Sequence, residues 1–252
     1  MPTVVIIPAR LNSSRLPGKV LLDICGKPMV QHVYESAKKA LHVKDVYIAT
    51  DSLEVKKVCE SFTCNIIMTS KKHESGTDRL AEAAQDITCK NIINVQGDEP
   101  LIDPKLITLL AQMLEDEDIE MVSAMHRIST VLELKSPNAV KVTVDKNSHA
   151  LYFSRSIIPY HRDGLEDLLN HHVTLPESLN FFKHIGIYGY KKEFLHKYAT
   201  MEQTYLEKLE KLEQLRVLEN GYKIKMIETK YIPVGVDTQE DLERVREMMQ
   251  CH

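Results

Sequence analysis

From Thr3 to Lys19 the chain reads TVVIIPARLNSSRLPGK. Its first part, Val4–Ile7, is an unbroken apolar run rich in β-branched residues, the pattern of a strand covered on both faces in a parallel sheet. Its second part is a polar loop that holds Arg10, Arg15 and Lys19 together with Ser13, Ser14 and a turn-forming Pro17-Gly18. Open α/β sheets bind ligands beyond the carboxyl ends of their strands. Three cations beside glycine-permitted backbone N–H groups, at such a strand end, are what a triphosphate of about −4 charge requires.

Outward from this strand the pattern alternates. Pro28–Leu41 has Met29, Val33, Ala37 and Leu41 at i,i+4 spacing behind a first-turn proline, which predicts a helix. Val46–Thr50 reads as the next strand, and Asp51 with Glu54 predicts an N-cap for a helix running to Phe62. Ile66–Met68 and Ile92–Val95 are further strands, with a helix around Asp78–Gln85 between them. Such βαβ alternation predicts an α/β fold with a mostly parallel, doubly wound sheet. It then breaks. Met121–Arg127, Ala139–Asp145 and Ala150–Ser154 read as strands without long helices between them, which makes the sheet mixed. Tyr160–Phe182 is polar, His-rich and interrupted by Gly164 and Pro176, an excursion of loop with some helix. Lys183–Tyr190 returns as strand, and Leu206, Leu209, Leu212, Leu215 and Leu218 predict one helix. Lys223–Ile227 is a last strand and Thr238–Met249 a closing helix, with Thr238 and Asp241 at capping-box spacing.

The 252 residues are 43% hydrophobic and 27% charged, with a formal charge of −4. A chain of this length buries roughly three quarters of its unfolded surface, enough for one domain. The slightly acidic balance gives no global field for nucleic acid or an anionic membrane. No apolar run nears the roughly 20 residues of a membrane span. Cys25, Cys59, Cys64, Cys89 and Cys251 form no CxxC pair and are odd in number, which predicts reduced thiols and a cytoplasmic protein.

Two common nucleotide fingerprints are missing. No GxG occurs, and Gly18-Lys19 and Gly26-Lys27 lack the upstream glycine of a Walker A loop, which removes ordinary NAD enzymes and P-loop NTPases as leading readings. INVQGDEP, Ile93 to Pro100, places Asp98 just past a strand end, where a carboxylate can hold Mg²⁺ with substrate phosphates. Asp237 in VGVDTQEDL is a second candidate carboxylate. SGTDRL (Ser75–Leu80), ALYFSRSIIP (Ala150–Pro159) and HIGIYGY (His184–Tyr190) also concentrate polar groups. Asp116-Glu-Asp118 has the spacing of a glycosyltransferase DxD motif, but in a charged helix end it reads as a solvated run.

The ordered series IIPAR…SSRLPGK, SGTDRL, NVQGDEP, NAVKV, ALYFSR, HIGIYGY, LEQLRVL and GVDTQEDL resembles the 3-deoxy-manno-octulosonate (Kdo) cytidylyltransferase family from Val4 nearly to the C-terminus. The resemblance implies a nucleotide-diphospho-sugar transferase type of fold in one domain over residues 1–252, with an inserted dimerisation region within about 128–190, and a homodimer. It implies the reaction of CTP with Kdo to give CMP-Kdo and pyrophosphate, for lipopolysaccharide synthesis. Pro8, Ala9 and Arg10 would line the cytidine site, and Arg10 and Lys19 would hold the triphosphate. Arg15 would face the reacting groups, on both the catalytic and the sugar side. Ser75 and Gly76 would form the cytosine-recognising turn, with Arg79 beside it. Asp98 and Asp237 would be the Mg²⁺ carboxylates. Gln96, Arg155, His184, Tyr188, Glu213 and Gln214 would form the sugar-acid side. Asp78 and Gln239 stand where the family commonly has Glu and Pro, and Gly164–Phe182 diverges. Three other readings compete: activation of a sialic-type or amino-substituted Kdo acid, a glycosyltransferase, and a non-catalytic nucleotide sensor.

Overall fold

The computed structural model describes residues 2–11, 15–73 and 76–250. The strands are β1 (Thr3–Pro8), β2 (Asp23–Ile24), β3 (Lys27–Pro28), β4 (Val43–Thr50), β5 (Ile66–Met68), β6 (Asn91–Asn94), β7 (Met121–Arg127), β8 (Lys141–Val144), β9 (Ala150–Ser154), β10 (Phe182–Lys191) and β11 (Lys225–Glu228). The helices are α1 (Met29–Ala37), α2 (Leu53–Cys59), α3 (Gly76–Ala84), α4 (Pro104–Met113), α5 (Val131–Lys135), α6 (Leu165–His171), α7 (Lys192–Thr200), α8 (Tyr205–Glu210), α9 (Leu215–Glu219) and α10 (Gln239–Met248).

β1 lies inside the sheet, parallel to β4 on one side and to β6 on the other. The path runs β11-β7-β10-β6-β1-β4-β5, with β8 paired to β10 and β9 to β8, and β10 is antiparallel to both its neighbours on that path. The apolar run of β1 explains the two helical layers. Val4 and Ile6 point to one face, against residues of α3, α7 and α9. Val5 and Ile7 point to the other, against α1, α2 and α4. All four are buried, and each fully buried Val or Ile contributes about 1.5–3 kcal/mol.

The helices start on local chemistry. Ser52 Oγ accepts from the Val55 N–H at 3.3 Å and caps α2. Asp51 therefore is not the cap that its spacing predicts, and α2 ends at Cys59, short of Phe62. Asp103 caps α4 with Pro104 in the first turn, and the Thr238/Asp241 capping box forms as expected. α1 stops at Ala37, short of Leu41, which lies outside the core at 67% exposed. The single helix expected over Leu206–Leu218 is broken. Lys211 adopts left-handed backbone (φ 54°) and separates α8 from α9. A leucine every third residue drifts round a helix of 3.6 residues per turn, so one straight helix cannot bury them all, and Leu209 is exposed.

The excursion has a small core of its own, Ile128, Val131, Leu134, Leu168 and Phe181, and includes the short helix α6. Cys59, Cys64 and Cys89 are free thiols, as expected, but Cys25 is disulfide-bonded, which corrects the reading of five reduced cysteines. Among the described residues no helix is long and apolar enough to cross a membrane.

Candidate active site

The site lies beyond the carboxyl ends of β1 and β6. Gly97 is required there, because a Cβ on it would sit 2.8 Å from the Pro8 carbonyl oxygen, a backbone atom that cannot move aside. That close approach brings Asp98 against the loop after β1. The C-terminal segment arrives by a different route. α10 packs through Leu242 and Val245 on Ile24 and Met29, and the Val236 N–H donates to the Asp98 carbonyl at 2.9 Å.

Residues far apart in the chain thereby meet on one ammonium group. Lys19 Nζ donates to Asp98 Oδ2 at 2.5 Å, to Asp237 Oδ1 at 2.8 Å and to the Val236 carbonyl at 3.1 Å. Arg15 Nη2 lies 2.9 Å from Asp237 Oδ2. Burial alone would lower the Lys19 pKa; the charge of Asp98 and the hydrogen bonds to both carboxylates outweigh it, and the net direction is up. Two convergent carboxylates are a hard oxygen donor set that suits Mg²⁺, which completes its shell from substrate phosphates and water. Among the described residues no cluster of three or more His, Cys, Asp or Glu side chains could hold a metal by protein groups alone.

A cavity of 410 Å³ opens beside this pair, with Asp98 at its wall and Gly76, Thr77, Gln96, Tyr188, Glu213 and Gln214 also facing it. Its outer wall is the turn between α8 and α9. Tyr198 Oη donates to the Glu213 carbonyl at 2.8 Å, and the buried Arg216–Glu207 pair clamps the helices on either side. Thr77 Oγ1 donates to Glu213 Oε2 at 2.9 Å. Glu213 is open to the cavity, yet the surrounding protein desolvates its carboxyl and raises its pKa, against the opposing pull of the Thr77 bond and Arg216.

A family model described as cytidylyltransferase matches residues 4–225. A 3-deoxy-manno-octulosonate cytidylyltransferase of Geotalea uraniireducens is 49% identical over 250 residues, 99% of each chain. One from Neisseria meningitidis serogroup A is 49% identical over 251 residues, 98% of each chain. The solved structure of a CMP:2-keto-3-deoxy-manno-octonic acid synthetase complexed with CTP superposes with a TM-score of 0.90 at 42% identity, covering 99% of both chains. The chain belongs to the cytidylyltransferase family. A putative glucose-1-phosphate thymidylyltransferase from Bacillus anthracis, 14% identical with a TM-score of 0.67 and covering 98% of this chain and 94% of its own, shares the fold alone.

In this cytidylyltransferase the structure gathers Arg15, Lys19, Asp98 and Asp237 at one point, and Gly76, Gln96, Tyr188, Glu213 and Gln214 around the adjoining cavity. Arg10 is half-buried. Desolvation and Arg79 lower its pKa, while Asp51, Glu213 and Asp78 act in the opposite direction. Pro8 ends β1. Ala9 is fully buried with its N–H bonded to the Ala49 carbonyl, so its side chain faces the core. Ser75, and Ser13 and Ser14 of the loop, lie outside the described residues.

Three of the expected site residues are held by other protein groups here. Arg79 is 1% exposed, with its guanidinium bonded to Asp51 Oδ2 at 2.7 Å and to Thr69 Oγ1, so it stiffens the wall behind Arg10. Arg155 donates to the carbonyls of Glu210 at 2.8 Å, Pro137 at 3.1 Å and Lys211 at 3.5 Å, so here it anchors the outer turn instead of facing the cavity. His184 is buried behind Tyr188, with its Nε2 2.9 Å from Ser123 Oγ and its ring edge-on to Phe153. Sequence reasoning passed over Asp51, Thr77, Asn94, Tyr198 and Lys211. Two carried a signal: Thr77 lies within SGTDRL, and alternation through Asn94-Val95-Gln96 puts Asn94 on the same face as Gln96.

The burial of His184 has a consequence for stability. Desolvation lowers its pKa to about 3, from 6.5, so the unfolded chain takes up a proton that the folded chain refuses. This contribution is fully present above pH 6.5 and is lost as pH falls towards 3. Between pH 7 and pH 5 the wild type is expected to lose about 2 kcal/mol more unfolding free energy than His184→Gln. Urea titrations at the two pH values check it, and equal losses would contradict a neutral buried His184.

Proposed function

We infer that this protein transfers CMP from CTP to the anomeric hydroxyl of Kdo, releasing pyrophosphate and CMP-Kdo, in Mg²⁺-dependent fashion. The observation that carries the reading is the meeting of Asp98, Asp237, Lys19 and Arg15 at the mouth of a cavity of sugar size. Mg²⁺ held by Asp98 and Asp237 would supply Lewis-acid stabilisation of the phosphoryl group and lower the pKa of the attacking hydroxyl. Lys19, bonded to both carboxylates here, would share them with Mg²⁺ and turn its charge to the departing pyrophosphate. Arg10, permanently charged, extends that field towards the triphosphate. Gln96, Tyr188, Glu213 and Gln214 orient the sugar acid so that its hydroxyl lies in line with the leaving group.

The excursion within about residues 128–190 is read as a dimerisation region of a homodimer. Its support is a separate small core and the exposed Leu132, Leu151, Tyr160 and Val173. The reaction places the protein in the cytoplasm, where CTP is made, and its product feeds lipopolysaccharide synthesis. Pyrophosphate release from CTP and Mg²⁺ tests the reading, with Kdo and with N-acetylneuraminate. Release with Kdo alone is expected, and its loss on chelation of the metal. Release with N-acetylneuraminate alone would move the activity to sialic-type acids, and release with neither would remove the sugar assignment.

A further inference from the structure

Asn94 is the last residue of β6 and is 3% exposed. Its side chain faces the same side of the sheet as Gln96, because strand residues two apart share a face. In the ladder it stands directly opposite Tyr188 of β10. It borders the 410 Å³ cavity together with Gln96, Asp98 and Tyr188. Its Oδ1 has no hydrogen-bond partner among the described residues. Asn91, on the same strand, also has an unpartnered Oδ1, but its amide nitrogen donates to Thr3 Oγ1 at 3.1 Å and to the Leu114 carbonyl at 3.2 Å, tying β6 to its neighbours, and it does not border the cavity. Asn94 ties nothing. A buried carbonyl oxygen without a partner costs stability, and beside a cavity a bound hydroxyl would supply the missing bond.

We propose that Asn94 contacts the sugar acid, its side-chain amide bonding a hydroxyl of the substrate, and that it is a specificity-determining residue of this site. The proposal rests on the functional reading above. A hydroxyl both donates and accepts, so it satisfies either end of the amide, and half a turn about χ2 presents either end to the cavity. Adjacency to Gln96 and Tyr188 assigns the contact to the sugar and not to the nucleotide.

The test is Asn94→Leu, similar in volume and apolar. If the amide is a ligand group, its removal leaves the melting temperature unchanged or higher, because an unsatisfied buried group has gone. KM for Kdo rises about five- to tenfold, as expected for one hydrogen bond, while KM for CTP stays the same. A panel of monodeoxy Kdo analogues adds a cycle: one analogue is disfavoured by the wild type and no longer disfavoured by the variant. A fall in melting temperature of several degrees, or equal rises in both KM values, would show a structural role and overturn the proposal. An unchanged KM for Kdo would overturn it too. Failure of the Kdo reading is seen separately, as absence of wild-type turnover with Kdo, and the melting experiment still decides whether the amide serves the fold.

Discussion

Asp98→Asn and Asp237→Asn are each expected to lower kcat by about a thousandfold or more, while the melting temperature changes little. A thousandfold corresponds to about 4 kcal/mol of transition-state stabilisation, within what a bound divalent ion supplies in such reactions. The fold should tolerate both changes, because the two side chains are 30% and 44% exposed and neither packs in the core. Asn keeps the shape and one acceptor oxygen and removes the charge, so the loss reads the charge. Steady-state pyrophosphate release across a Mg²⁺ titration, with thermal melts of the same samples, checks the prediction. Near-normal Mg²⁺-dependent turnover in either variant would refute the assignment of these carboxylates.

The second large effect is on stability. Arg79 is almost wholly buried and its charge is met by Asp51. Asp51→Ala leaves that guanidinium buried without its counter-ion and is expected to cost about 3–5 kcal/mol. The double variant Asp51→Ala/Arg79→Met removes both charges and should recover most of it, since a buried pair often contributes little net against an apolar replacement. Urea midpoints of the wild type and the single and double variants measure this. A single variant within 1 kcal/mol of wild type, about the level of an exposed pair, would show that Asp51 does not support Arg79. The same exchange should reach the nucleotide side, because Asp51 and Arg79 both act on the charge of Arg10.

Much of the architecture was legible residue by residue. The apolar run Val4–Ile7 called for a strand covered on both sides, and β1 has helices on each face of it. Met121–Arg127 and Ala150–Ser154 form the strands that their patterns predict, and Thr238 with Asp241 forms the capping box. Asp51 misled because Asp and Ser are both good N-caps and local spacing does not choose between neighbours. What separated them was the buried Arg79, 28 residues away, which took the carboxylate and left the cap to Ser52.

The same division runs through the site. Strand ends, the cationic loop and the Gly97-Asp98 turn follow from local sequence, because backbone geometry and apolar periodicity act over a few residues. Which side chains share a cavity does not, since partners are selected by packing across the sheet. Asp237 meets Lys19 across 218 residues only after α10 has seated on Ile24 and Met29. Arg155 is drawn to three backbone carbonyls that local sequence does not bring near it. Glu213 and Gln214 face the cavity because the left-handed Lys211 breaks the helix and Tyr198 fixes the turn that follows. By itself the sequence determined the elements, the cationic loop and the carboxylates. The tertiary structure decided their partners, because hydrogen bonds and ion pairs form between whatever groups burial of the apolar faces brings within about 3 Å.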